Sequence, residues 1–254
     1  MPMYYNVDRI SFFIYNVLIF ITIILMPGCI SEVEIPDTSD YGYEYFPIEK
    51  GRSWIYQSDS IVFYNSGQEV DTFRSYLKEE IGDIIKDIDG TEIHKVKRYF
   101  KRNESDPWTP IHTWTTSLRD NKALRTEENL KFIKMVFPIK ENLNFDGNLY
   151  IDPEIRIEVQ GEALEPYKVW KTRIEDIDTL IRFHDTDLAC MMIHLVDDTT
   201  IVDRRRVYEF YGKGIGLVRK EMILVDTDSS KPDTPWENKI LKGFIHTLQL
   251  LEYK

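Results

Sequence analysis

The sequence predicts an all-β protein built from antiparallel strands, and three observations carry that expectation. Aromatic and β-branched residues recur in short runs separated by Gly, Asn, Asp and Pro. Within some of these runs apolar and polar side chains alternate with a period of two, as in a strand with one buried and one solvated face. No long amphipathic helix, heptad or internal repeat is visible along the body of the chain. With 254 residues, 43% of them hydrophobic, the chain can bury a sizeable core, which argues against wholesale disorder. The pattern suits a sheet, a sandwich or a barrel.

The first element is an address. Residues 10–30 carry no charge, Arg9 precedes them, and their dense apolar core at 12–26 reads as the central region of a signal peptide. Leu25-Met-Pro-Gly-Cys29 follows, with a proline and a glycine breaking the helix where a peptidase needs extended backbone. Gly28-Cys29 after an apolar stretch resembles the lipobox of bacterial lipoproteins. That resemblance covers about 30 residues. It implies cleavage between Gly28 and Cys29, with diacylglycerol and palmitate-type acyl chains anchoring the Cys29 end. Met26, Pro27 and Asp8 depart from the commonest pattern. The competing readings are an uncleaved anchor helix, for which the apolar run is just long enough, and a plain secretory signal. Residues 29–40 are polar and acidic and read as a lipidated N-terminus and tether. Residues 41–254 are expected to form a single β domain.

Strands are then expected in order. Residues 54–64 form the first, ended by the turn signal Asn65-Ser-Gly67. Residues 72–81 alternate strictly, and Asp89-Gly90 is a favoured two-residue hairpin turn into 92–101. Further strands are expected at 112–119, 130–139, 180–183, 189–196, 201–211, 217–225 and 241–253, giving nine or ten. The run 189–196 is apolar on both faces and is expected to be central, with Cys190 a small buried hydrophobe and His194 a hydrogen-bonded core histidine. Residues 140–166 are irregular and read as a flap, and 105–110, carrying Trp108 between two prolines, as an exposed loop.

Two strings carry a wider resemblance. Tyr211-Gly-Lys-Gly-Ile-Gly-Leu-Val-Arg-Lys-Glu221 and Phe46-Pro-Ile-Glu-Lys-Gly-Arg-Ser-Trp-Ile-Tyr56 resemble the end and the start of the domain in an uncharacterised β-rich family of Bacteroidota cell-envelope lipoproteins. The resemblance implies a curled antiparallel sheet or half-open barrel, similar to lipoprotein carriers and lipocalins, and an envelope address. It implies no activity and no catalytic residue.

Chemistry-bearing patterns are sparse. Gly212, Gly214 and Gly216 precede a strand pattern, not the helix N-terminus that phosphate binding needs, so they read as a turn. The five histidines are scattered without metal-ligand spacing, and Asp87-Ile-Asp-Gly-Thr-Glu92 is too short for a calcium loop. Glu79-Glu80 and Asp197-Asp198 point to opposite faces of a strand and read as solvated faces or turns. The basic run 95–102 and Arg204-Arg-Arg206 read as strand edges or solvent faces. No Gly-x-Ser-x-Gly elbow occurs. Trp108, Trp114 and Trp236 lie near proline-rich or polar segments, where they could grip a flat sugar or an apolar ligand; packing within the fold is the plainer reading.

A net charge of −11 gives no general attraction to nucleic acid. The functional expectation is a non-catalytic envelope lipoprotein without cofactor or metal, lipid-anchored in the outer membrane on its periplasmic or surface face. It would bind a hydrophobic or envelope-derived ligand (a lipid or a glycan) or a protein. The alternatives are a structural or assembly subunit of an envelope complex, and a hydrolase whose site is assembled from distant residues.

Overall fold

A computed structural model describes residues 40–254. The expected signal peptide, the expected Gly28–Cys29 cleavage position and the expected tether up to residue 39 lie outside the described residues. Fourteen strands form: β1 (Ser53–Tyr64), β2 (Glu69–Lys86), β3 (Glu92–Lys101), β4 (Thr109–Arg119), β5 (Lys122–Glu127), β6 (Leu130–Val136), β7 (Asn144–Phe145), β8 (Ile157–Val159), β9 (Glu162–Leu164), β10 (Thr172–Phe183), β11 (Thr186–Thr199), β12 (Asp203–Gly212), β13 (Gly216–Thr227) and β14 (Ile240–Tyr253). Twelve make one sheet in the order β6-β5-β4-β3-β2-β1-β14-β13-β12-β11-β10-β7, while β8 and β9 pair as a separate hairpin. The large sheet is two meanders zipped together by β1 against β14.

Each of the ten expected strands falls on one of the long strands. The four not foreseen are β5 and the short β7, β8 and β9. β5, Lys-Ala-Leu-Arg-Thr-Glu, holds no aromatic and one β-branched residue. Its flanking turns, Asp120-Asn121 and Glu128-Asn129, place all four residues in the left-handed region without a glycine to announce them. The irregular stretch 140–166 contains β7, β8 and β9.

The sheet curls until it is nearly a closed barrel. The Ile133 N–H of edge strand β6 donates to the carbonyl of Gly147, two residues beyond β7 at the other edge (2.9 Å). A strap at residues 41–48 crosses one end: Tyr41 accepts from the Ile139 N–H and Glu44 from the Gly214 N–H. Strand β11 buries successive apolar residues where its ladder to β10 shifts register, while its outward face leaves Ala189 exposed and Met192 and His194 half-buried. Cys190 packs with Ile181, Phe210 and Leu250, and its neighbour Met191 with Ile174, Ile193 and Tyr211. It is third from an edge, however, and not central. Curling covers its concave face.

Candidate functional site: the charged barrel interior

Residues directly opposite in an antiparallel ladder share a face, so the register traces one continuous surface around the barrel. Glu209 faces Lys220, Lys220 faces Leu248, Leu248 faces Ser58, and Ser58 faces Ser75. Further round, Trp54 faces Glu79 and Glu79 faces Arg98. Lys134 on β6 meets Glu209 on β12 at 2.7 Å although the strands lie far apart in sheet order. That contact crosses the barrel, so this surface is the concave one.

Two buried carboxylates organise it. Glu209, 1% exposed, accepts from Lys134 (2.7 Å), Lys220 (3.1 Å) and the Tyr211 hydroxyl (2.6 Å). Burial would raise its pKa, but the two ammonium groups and the phenol outweigh burial and hold it well below the usual carboxylate range. Tyr211 is pushed well above its ordinary value by burial and by Glu209. Glu79, 4% exposed, accepts from Arg98 (3.1 Å) and Arg125 (2.7 Å). Burial again pushes its pKa up, and the guanidiniums of Arg125 and Arg98 bring it below normal. The Arg98 guanidinium lies 3.6 Å over the Trp114 ring.

Between the two clusters Ser58 Oγ meets His246 Nε2 at 3.0 Å. Burial first, then the positive charges of Lys220 and Arg98, lowers the His246 pKa to about 4. A nucleophilic dyad needs a third group to orient the imidazole, and among the described residues no carboxylate hydrogen-bonds His246. The pair faces the packed interior, so a structural hydrogen bond accounts for it.

Little space remains in the middle of the barrel. A cavity of about 20 Å³ lies beside Tyr56, Glu79, Thr116 and Arg125, and one of about 10 Å³ beside Lys134 and Glu209. The first suits a single water molecule, and the unpartnered Nε of Arg125 provides a polar group for it. Larger depressions lie nearer the ends and the surface. One of about 370 Å³ lies on the concave face at the mouth of the barrel beside the β8–β9 hairpin, lined by Arg156, Glu165, Lys168, Arg205, Asp226 and Lys242. Arg205, Asp226 and Lys242 share the face of Glu209 and Lys220, and all six side chains are ion-paired with one another. Among the described residues no group of His, Cys, Asp and Glu has metal-binding geometry.

The three tryptophans go to three places. Trp108 is half-buried in the β3–β4 connection with the Lys101 ammonium 4.8 Å over its ring. Trp114 lies on β4 in the charged interior, under Arg98. Trp236 opens a 3-10 turn in the β13–β14 connection and is half-buried. None of them lines the cavities described above.

The organising residues of the interior were not singled out from the sequence. Glu79 and Arg98 belong to runs expected at the solvent, and so does Arg205, whose side chain is 4% exposed. Glu79 and Glu80 do point to opposite faces, but Glu79 is inside and Glu80 outside with Lys78. The missed signal is parity: Glu209 sits at the same strand parity as Val207 and Tyr211, both buried. The glycine string is a turn, with Gly214 and Gly216 in the left-handed region (φ 69 and 90). Asp89-Gly90 lies in the connection from β2 to β3, but not as a two-residue turn: β2 ends at Lys86, β3 begins at Glu92, and the Asp87 N–H donates to the Thr91 carbonyl. His194 is half-buried, stacked on Tyr208, with Nδ1 3.5 Å from Glu175 and Nε2 unpartnered. Cys190 is fully buried, and burial raises its thiol pKa to about 11.

No protein-family model matches the chain, and no curated protein matches it. Two solved structures are similar to it. A candidate lipoprotein of Parabacteroides distasonis is 13% identical over 83% of this chain and 98% of its own, with a TM-score of 0.43. A candidate exported protein of Bacteroides fragilis with a YmcC-like fold is 9% identical over 82% of this chain and 98% of its own, with a TM-score of 0.41.

Proposed function

We propose that this chain is an envelope lipoprotein, acylated at Cys29 and held at the outer membrane, whose barrel is a non-catalytic body that engages a protein partner through its outer surface and end loops. The observation that carries the reading is the state of the interior. A carrier of apolar ligands needs an apolar cavity of several hundred Å³, whereas the middle of the barrel leaves about 20 Å³ beside Tyr56 and the depression of about 370 Å³ at its mouth is lined by ion-paired charged side chains. Buried side chains that pair with one another hold shape; they offer nothing to a lipid tail. The charge-free leader and Gly28-Cys29 support the anchor. Trp108 and Trp236, both half-buried in end connections, are the aromatic contacts such a partner would meet.

Two measurements on the full chain test this. Mass spectrometry of the mature protein is expected to find an acylated Cys29 at its N-terminus, and Cys29→Ser is expected to leave the membrane fraction. A photo-reactive side chain at position 108 or 236, introduced in the producing cell, is expected to trap a discrete protein. A lipid co-purifying at one per chain would overturn the filled-body reading while leaving the anchor intact.

A further inference from the structure

We infer that the open edge of β10 is an interface for a second copy of this chain. β7 covers this edge over Thr172 and Arg173, and residues 142–143 bond to Ile174. From Glu175 to Phe183 the backbone has no partner on the side away from β11 among the described residues. The first part of this stretch is protected. The ladder to β11 shifts register on both sides of Asp176, whose carboxylate takes the Asp178 N–H and the Thr179 hydroxyl. Such irregularities keep edges from pairing. The last five residues are not protected: Thr179 to Phe183 pair regularly with Cys190 to Thr186, ending in a two-residue turn. Counting from that turn, ladder alternation aims the N–H and C=O groups of Leu180 and Arg182 away from β11.

The side chains there are complementary to themselves. Leu180 and Arg182 share the outward face, and they and Asp178, at the end of the irregular stretch, are exposed, Leu180 at 66%. An antiparallel partner related by a two-fold axis through Leu180 sets Leu180 against its own copy. It also sets Asp178 of each chain opposite Arg182 of the other. Asp178 has no ion-pair partner among the described residues, and Arg182 reaches Asp187 only at 3.4 Å in an exposed pair. An isologous strand pair of this kind joins two sheets into one. The inference stands apart from the proposed function, since it needs neither the lipid nor a different protein.

Cysteine cross-linking of the full chain tests the register. On the axis, Leu180→Cys brings two sulfurs within disulfide range. Mild oxidation is expected to convert it to a covalent dimer at about ten times the yield of Ile88→Cys, a control on the fully exposed β2–β3 turn. Asp178→Arg or Arg182→Asp, each added to Leu180→Cys, is expected to lower the yield severalfold, and the two together to restore it. Equal yields at positions 180 and 88, charge reversals without effect, or an adduct with a different protein would each overturn the proposal.

Discussion

Glu79 and Glu209 are both carboxylates on the concave face, and both are paired with two cations, but their partners come from different distances along the sheet. Glu79 on β2 takes Arg98 from the adjacent β3 and Arg125 from β5, three strands away on the same wall. Glu209 on β12 takes Lys220 from the adjacent β13 and Lys134 from β6, the far edge of the sheet. The first cluster therefore sets the curvature of one wall, and the second ties edge strand β6 to the fourth strand from the opposite edge, across the barrel. The cations differ as well. Arginine is weakly hydrated and stacks, as Arg98 does on Trp114, whereas each lysine is a strongly hydrated point charge that costs more to bury unpaired.

The comparison predicts that the Glu209 cluster is the more fragile. Glu209→Gln leaves the buried Lys220 ammonium without its ion-pair partner and Lys134 with only the longer contact to Glu127 at 3.8 Å, and a broken buried pair costs about 3–5 kcal/mol. The upper part of that range is expected, read as a shift in urea midpoint. Replacing all three charged groups together (Glu209→Leu, Lys134→Met, Lys220→Met) is expected to recover most of the loss, because the desolvation cost disappears with the charges. Glu79→Gln is expected near the lower end, about 3 kcal/mol, since Arg98 keeps its aromatic platform. If Glu79→Gln proved the more damaging, the clasp across the barrel would not be the weaker point.

Acid separates the two regions from the histidine between them. In the folded protein the His246 pKa is lowered to about 4 from an ordinary 6.5. Between those values the unfolded chain binds a proton that the folded chain refuses, so stability falls as pH drops from 6.5 towards 4, by about 2–3 kcal/mol in all. Glu79 and Glu209 have lowered carboxyl pKa values, so their contribution is present above the ordinary carboxylate range and is lost only at lower pH. His246→Gln is expected to flatten the curve between pH 6.5 and 4 and leave the steeper acid limb. A slope unchanged by that substitution would remove His246 from the account.

What could be read in the sequence divides along the same line. Long strands were legible at least in part, because aromatic and β-branched runs mark them and in some a buried face imposes a period of two, although of β10 (Thr172–Phe183) only 180–183 was expected. β5 was not, because Lys122-Ala-Leu-Arg-Thr-Glu127 is ordered by neighbours on both sides and not by its own propensity. The charged interior was not legible either. A lysine or glutamate normally marks the solvent face, and only closure of the sheet converts Lys134, Glu79 and Arg98 into interior residues. Register along one strand pair can be guessed, but the meeting of β6 with β12 is a property of the whole barrel.

The smallest effects compare two phenols. Tyr211 donates to the Glu209 carboxylate at 2.6 Å, and Tyr56 donates to the Leu217 carbonyl at 3.0 Å. Both rings are buried, so removing either hydroxyl changes packing little and deletes one hydrogen bond. A bond to a charged acceptor is worth about 1.5–3 kcal/mol and a neutral one about 1 kcal/mol. Tyr211→Phe is therefore expected to cost about twice as much as Tyr56→Phe in equilibrium unfolding. The difference should vanish in a Glu209→Gln background, where the acceptor is no longer charged. Equal costs in the parent chain would mean that the two lysines already satisfy Glu209 and that the phenol adds packing alone.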